Sequence, residues 1–207
     1  MNLSLSEVEA LCRKAARGAG LSWGLADEAG RACRWLASHD LPGAMAMADH
    51  LERIGTASGP AIRGTDWSCD GALCPVRAGA GLCDHADGIS GEPGLTLHNL
   101  RFPLLLLPFA DEAARHLGRQ IRLTSAGFSA RLGRERPACD GTPPDTIAQL
   151  SCAVTRDAVA PAKPAQTRAD LAPALYKRLD ALAQRTYAPA TEASRLAGAG
   201  AGLTDND

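Results

Sequence analysis

Apolar positions in the first fifty residues recur at helical spacing. Leu5, Val8, Leu11, Cys12, Ala15, Ala16 and Ala19 fall three and four residues apart, the stripe of an amphipathic helix, and predict a helix over 4–19. Ser4 with Glu7, or Ser6 with Glu9, supplies a capping-box start, and Gly18 and Gly20 end the run. Ser22 is the N-cap of a second helix reaching about Ser38. Leu25, Ala29, Ala32, Cys33 and Leu36 face inward there, with Trp23 and Trp35 flanking. Pro42 fits the first turn of a third helix ending near Ile54, with Met45, Ala48 and Leu51 inward.

The pattern then changes. Residues 55–94 are rich in Gly, Asp, Ser and Cys and predict loops with one short helix around 76–86. Leu95, Leu97 and Leu100 begin a strand region. Phe109–Leu117 reads as a helix with Asp111 and Glu112 in its first turn, where acids are favoured, and Gly118 closes it. Two strands flank Ser125-Ala126-Gly127, with Ile121, Leu123, Phe128, Ala130 and Leu132 on the apolar side. A turn-rich loop covers 137–145. Another strand follows over 146–156, with Ile147, Leu150, Cys152 and Val154. Pro161 and Pro164 mark a linker, and Leu171, Leu175, Leu179 and Leu182 predict a helix over 169–185.

Helices, then sequential strands, then a helix argue for an α+β fold with an antiparallel or mixed sheet and helices on one side. Strand–helix alternation of the doubly wound kind is absent. The chain of 207 residues is read as a single domain: a helical part over 1–54, a sheet part over 95–156, C-terminal helices over 169–197 and a flexible tail over 198–207.

Charge removes some function classes. The formal net charge is -1, so no general basic field exists to hold nucleic acid. The one local bias is Arg101, Arg115, Arg119, Arg122, Arg131, Arg134 and Arg136, set against Asp111, Glu112 and Glu135. It suits a solvated surface or, less commonly, a basic face on a sheet. The opening Met-Asn-Leu-Ser-Leu-Ser-Glu shows no leader pattern, and the Leu104–Leu107 run is too short to span a bilayer. Seven scattered cysteines fit free thiols in a reducing cytoplasm.

Candidate chemistry is sparse. Cys69, Cys74, Cys83 and His85 include zinc-type ligands, but their spacing lacks the tight pairs of a knuckle, and no metal or cofactor is expected. Cys74 or Cys83 with His85 or His98 would make a thiol–imidazole pair for a small hydrolase or transferase. Gly18-Ala19-Gly20 serves as a helix cap, or, with Arg17 beside it, as backbone donors for a carboxylate or phosphate. A helix-turn-helix reading is set aside because Trp23, Gly24, Leu25, Ala26, Asp27 and Glu28 would meet the DNA backbone with apolar and acidic groups. The run Arg185 to Arg195, with Tyr187 and Ser194, is a polar segment suited to an anion or partner contact, or a frayed terminus.

The segments Ser4–Glu9, Arg13–Gly20 and Ser22–Gly30, with the closing run 185–202, resemble a bacterial family of uncharacterised proteins, domain of unknown function 3726. The resemblance implies a cytoplasmic bacterial protein and brings no activity, cofactor or catalytic residue. The helix pair is also similar in style to the helical N-terminus of sulfolactate/malate-type dehydrogenases, for whose fold the rest of the chain lacks the length. The expectation is a non-catalytic accessory protein. Arg17, Trp23, Arg185, Tyr187, Ser194 and Arg195 would together bind an anionic small molecule or a protein partner, because chain ends often lie together. No nucleic acid or membrane partner is expected. The alternatives are the Cys/His enzyme and an obligate subunit of an enzyme complex.

Overall fold

The structure is a computed structural model that describes residues 1–89 and 94–187. Strand β1 (Asn2–Ser4) leads into helix α1 (Leu5–Gly18). The Ser4–Glu7 capping box is complete, with the Glu7 amide donating to the Ser4 hydroxyl and the Glu7 carboxylate accepting from the Ser4 amide. Hydrogen bonds donated by the Ser4 hydroxyl, and then by the Ser4 amide, hold the Glu7 carboxyl below its ordinary range. Helix α2 (Trp23–Ser38) starts on Ser22, whose hydroxyl accepts from the Leu25 amide. Helix α3 (Gly43–Glu52) follows Pro42. Its inward residues are Ala44, Met47, Ala48, His50 and Leu51. Met45, expected inside, is exposed, since the stripe runs through Met47.

The segment expected to be loops carries four short strands: β2 (Ala57–Ser58), β3 (Ala61–Arg63), β4 (Asp66–Ser68) and β5 (Ala72–Leu73). Helix α4 (Pro75–Asp84) then leads to β6 (Leu95–Arg101), helix α5 (Leu107–Leu117), β7 (Arg119–Ser125), β8 (Phe128–Leu132), β9 (Ala138–Asp140) and β10 (Thr146–Ala158). These strands form one mixed sheet in the order β2-β5-β6-β10-β7-β8-β9, with β4 pairing β3 and β6 beside that path. From β6 to β9 all neighbours are antiparallel, whereas β4 and β5 run parallel to β6.

One sheet face is apolar. Leu95 opposes Cys152 and Leu97 opposes Leu150, all four buried. The next buried pair is Leu100 with Ile147, a step of three accommodated by Asn99 in the left-handed region at φ 52°. Helix α5 packs on β7 and β8, α4 on α5, and α2 on both helices. On the opposite face Arg122 and Arg131 stand directly opposite each other and are exposed, while Arg115, on α5, is half-buried and bonds Asp111 at 2.8 Å. Asp111, expected in the first turn, lies beyond it because α5 begins two residues earlier, and it is buried.

Helix α6 (Pro173–Ala183) is shorter than expected. Arg168–Asp170 instead form β11, which pairs antiparallel with β1 in a separate two-stranded sheet. Helix α6 lies across α1 at Gly18. A Cβ there would stand 1.9 Å from the Leu182 carbonyl oxygen and 3.4 Å from Cβ of Arg185, so only glycine permits this crossing. No described helix is long and apolar enough to cross a membrane.

Candidate functional site

The turn after α1 is a closed cap. The Leu21 amide donates to the Ala16 carbonyl at 3.1 Å and the Gly20 amide to Arg17 at 3.0 Å, with Gly20 at φ 103°. This is the double bond pattern of a Schellman end. The Ala19 amide donates to Ala15 at 2.9 Å. All three amides are therefore spent inside the helix, and the expected backbone donors for an anion are not available. Arg17 closes the turn further by donating Nη1 to the Leu21 carbonyl at 2.8 Å.

What the turn leaves outward is side chains. The Arg17 guanidinium lies 4.7 Å from the centre of the Trp23 ring, within cation–π range. One turn back on α1, the Lys14 ammonium donates to the Tyr187 hydroxyl at 3.3 Å and lies 5.9 Å from that ring's centre. Arg185 is exposed and adjoins Gly18 through the α1–α6 crossing. Trp23 is 68% exposed and Tyr187 56%. Among the described residues, no carboxylate lies within ion-pair distance of Lys14, Arg17 or Arg185. The end of α1, the start of α2 and the turn after α6 thus bring Arg17, Trp23, Arg185 and Tyr187 to one corner. Lys14 completes the corner; it lies on the same face of α1 as Arg17, a three-residue step the helical spacing already contained. Ser194 and Arg195 lie outside the described residues.

The thiols are placed differently from the sequence expectation. Cys74 Sγ lies 3.4 Å from His50 Nε2, both fully buried. His85 Nδ1 donates to the Gly81 carbonyl at 3.0 Å, and His98 Nε2 bonds Asp66 at 3.0 Å. Neither is the expected thiol partner. Burial pushes the Cys74 thiol up, and burial with Glu112, Glu28 and Asp84 pushes Cys83 up to about 12. Both are protonated at neutral pH, the opposite of an activated nucleophile. Burial, reinforced by Arg101, lowers His50 to about 4, and its Nδ1 has no hydrogen-bond partner among the described residues. His50 could have been found in the sequence, since it falls on the buried face of α3 between Met47 and Leu51. Among the described residues, no group of three or more His, Cys, Asp or Glu side chains could hold a metal ion.

Residues 3–79 match the model of a family described as protein of unknown function (DUF3726). The match takes in the opening segments that carry the resemblance and stops short of the closing run. No curated protein matches the chain. Among solved structures, a malate dehydrogenase from Entamoeba histolytica is similar at a TM-score of 0.46 and 13% identity, over 69% of this chain and 49% of that one. The chain spans about half the length of that enzyme.

Proposed function

We propose that this is a non-catalytic accessory protein of the bacterial cytoplasm that binds an anionic ligand or partner at the corner formed by Lys14, Arg17, Trp23, Arg185 and Tyr187. The observation that carries the reading is the convergence of three cations lacking carboxylate partners among the described residues, on a chain whose net charge is -1. Arg17 is already held by Trp23 and the Leu21 carbonyl, so little side-chain freedom remains to be lost on binding. The described cysteines are unpaired, which suits a reducing compartment.

The test is a thermal-shift titration of the full chain with inorganic phosphate, citrate and an acidic peptide. At least one raises Tm for the wild type, and the rise shrinks in Lys14→Gln/Arg185→Gln, whose changes are confined to exposed side chains. No rise with any anion, or an equal rise in the variant, defeats the reading.

A further inference from the structure

The chemistry of the corner narrows its occupant. We infer that it is an acidic polypeptide segment interspersed with apolar side chains, rather than a small anion; this rests on the anion-binding reading above. The first support is shape. Small-ligand sites are concave and enclose most of the ligand. The protein has clefts of about 760 Å³ beside α2, α4 and α5, about 440 Å³ beside α3 and β11, and about 480 Å³ on the outer sheet face. None of these three is lined by Lys14, Arg17, Trp23, Arg185 or Tyr187.

The second support is how the charges are held. A phosphate or a single carboxylate is bound where several donors meet at one point. Here the turn amides are spent, and each anchored cation is tied to its own aromatic ring, Arg17 to Trp23 and Lys14 to Tyr187. Lys14 and Arg17 stand a turn apart on α1 and Arg185 comes from the segment after α6, so the charges are set out side by side along the corner. Spread cations match carboxylates spaced along an extended chain, which is charge complementarity with a polypeptide.

The third support is the aromatic surface. Trp23 and Tyr187 are two of the five large apolar side chains exposed among the described residues. Tyr, Trp and Arg are the side chains enriched at protein interfaces. A small anion has no use for two exposed rings, whereas a peptide's apolar side chains cover them.

Trp23 provides the readout, because Trp67 is buried and Trp35 is partly so. The probes are a twelve-residue Asp/Glu peptide containing Leu and Phe, the same peptide with Ser at the apolar positions, inorganic phosphate, and phosphatidylglycerol vesicles. The apolar-containing peptide is expected to change the fluorescence of the full chain, to bind more tightly than its Ser counterpart, and to weaken with salt. Lys14→Gln/Arg185→Gln is expected to weaken it by roughly fivefold to tenfold, and Trp23→Phe to remove most of the signal while circular dichroism stays unchanged. Equal binding of the two peptides, phosphate binding without peptide binding, or binding of vesicles alone overturns this inference and leaves the anion-binding reading standing. Silence toward all four probes overturns both.

Discussion

The indole Nε1 of Trp35 in α2 donates to the carboxylate of Asp111 in α5 across 3.2 Å. The same carboxylate accepts from Arg115 Nε at 2.8 Å and from the Gly133 backbone amide at 2.8 Å. Arg115 in turn donates to the carbonyls of Ala160, at 3.0 Å, and Arg134, at 3.3 Å. One buried acid therefore joins the helical layer to α5, to the turn after β8 and to the linker before β11. Asp111→Ala is expected to cost about 3–5 kcal/mol, because it strands a partly buried guanidinium, a partly buried indole donor and a buried backbone amide. Trp35→Phe, which removes one neutral donor, is expected to cost about 1 kcal/mol. Urea denaturation measures both; a loss under 1 kcal/mol for Asp111→Ala would show that the network holds nothing together.

The buried His50 makes stability fall in mild acid. Its pKa is about 4 in the folded protein against an ordinary 6.5. The folded state thus binds the proton more weakly than the unfolded state. Stability is unaffected above pH 6.5, declines as pH drops from 6.5 to 4, and is lower by about 3 kcal/mol below that window. His50→Leu is expected to flatten the decline over this window, while carboxylates such as Glu7 and Glu52, whose pKa values are lowered, still act at lower pH. If wild type and variant lose stability in parallel between pH 6.5 and 4, the imidazole is protonated in the folded protein.

Two glycines in the helix pair should respond in opposite directions. Gly18→Ala drives a Cβ into the Leu182 carbonyl and is expected to cost about 1–3 kcal/mol as α6 is pushed off. Gly24 has nothing within 4 Å of its would-be Cβ, and Gly24→Ala in α2 is expected to add about 0.5–1 kcal/mol. Thermal unfolding of the two variants decides. A Gly18→Ala protein as stable as wild type would mean that the α1–α6 crossing is loose.

Thiol reactivity separates the binding reading from the thiol-enzyme alternative. Cys33 is pushed up by the neighbouring Cys12 thiol and by burial, and Cys152 by burial to about 12. Cys139, although also raised, is exposed. Iodoacetamide at pH 7, followed by mass spectrometry, should mark Cys139 before the buried thiols. Cys74 or Cys83 reacting first would reinstate a catalytic cysteine.

The parts legible in the sequence are those whose causes are local. Ser4, Glu7, Ser22 and the three- and four-residue apolar spacing specify α1 and α2 within a few positions, because a cap and a stripe need no distant partner. The strands β2 to β5 are two or three residues long, too short for alternation to register. Arg168–Asp170 carries the signal of the helix that follows it, but pairs with residues at the other end of the chain. The buried position of His50 is legible from the α3 stripe, but its pairing with Cys74, 24 residues on, is not, because packing and not sequence spacing brings the two together. At the corner, Arg17, Trp23, Arg185 and Tyr187 could be singled out by type. That the Gly18-Ala19-Gly20 amides are consumed could be seen only from their bond partners.

The β1–β11 pairing also imposes an order in time. Residues 2–4 meet residues 168–170, and α1 meets α6 across Gly18. The helix pair is the first part of this stretch to leave the ribosome and among the last to be completed. Until the segment beyond residue 167 emerges, the groove at Gly18 has no helix to fill it, and the corner of cations and rings exists only in half. Such a long-range closure slows folding and leaves apolar helix surface uncovered during synthesis. On the nascent chain the five side chains of the corner therefore come together only after residues 185–187 have been made, however early the two N-terminal helices form.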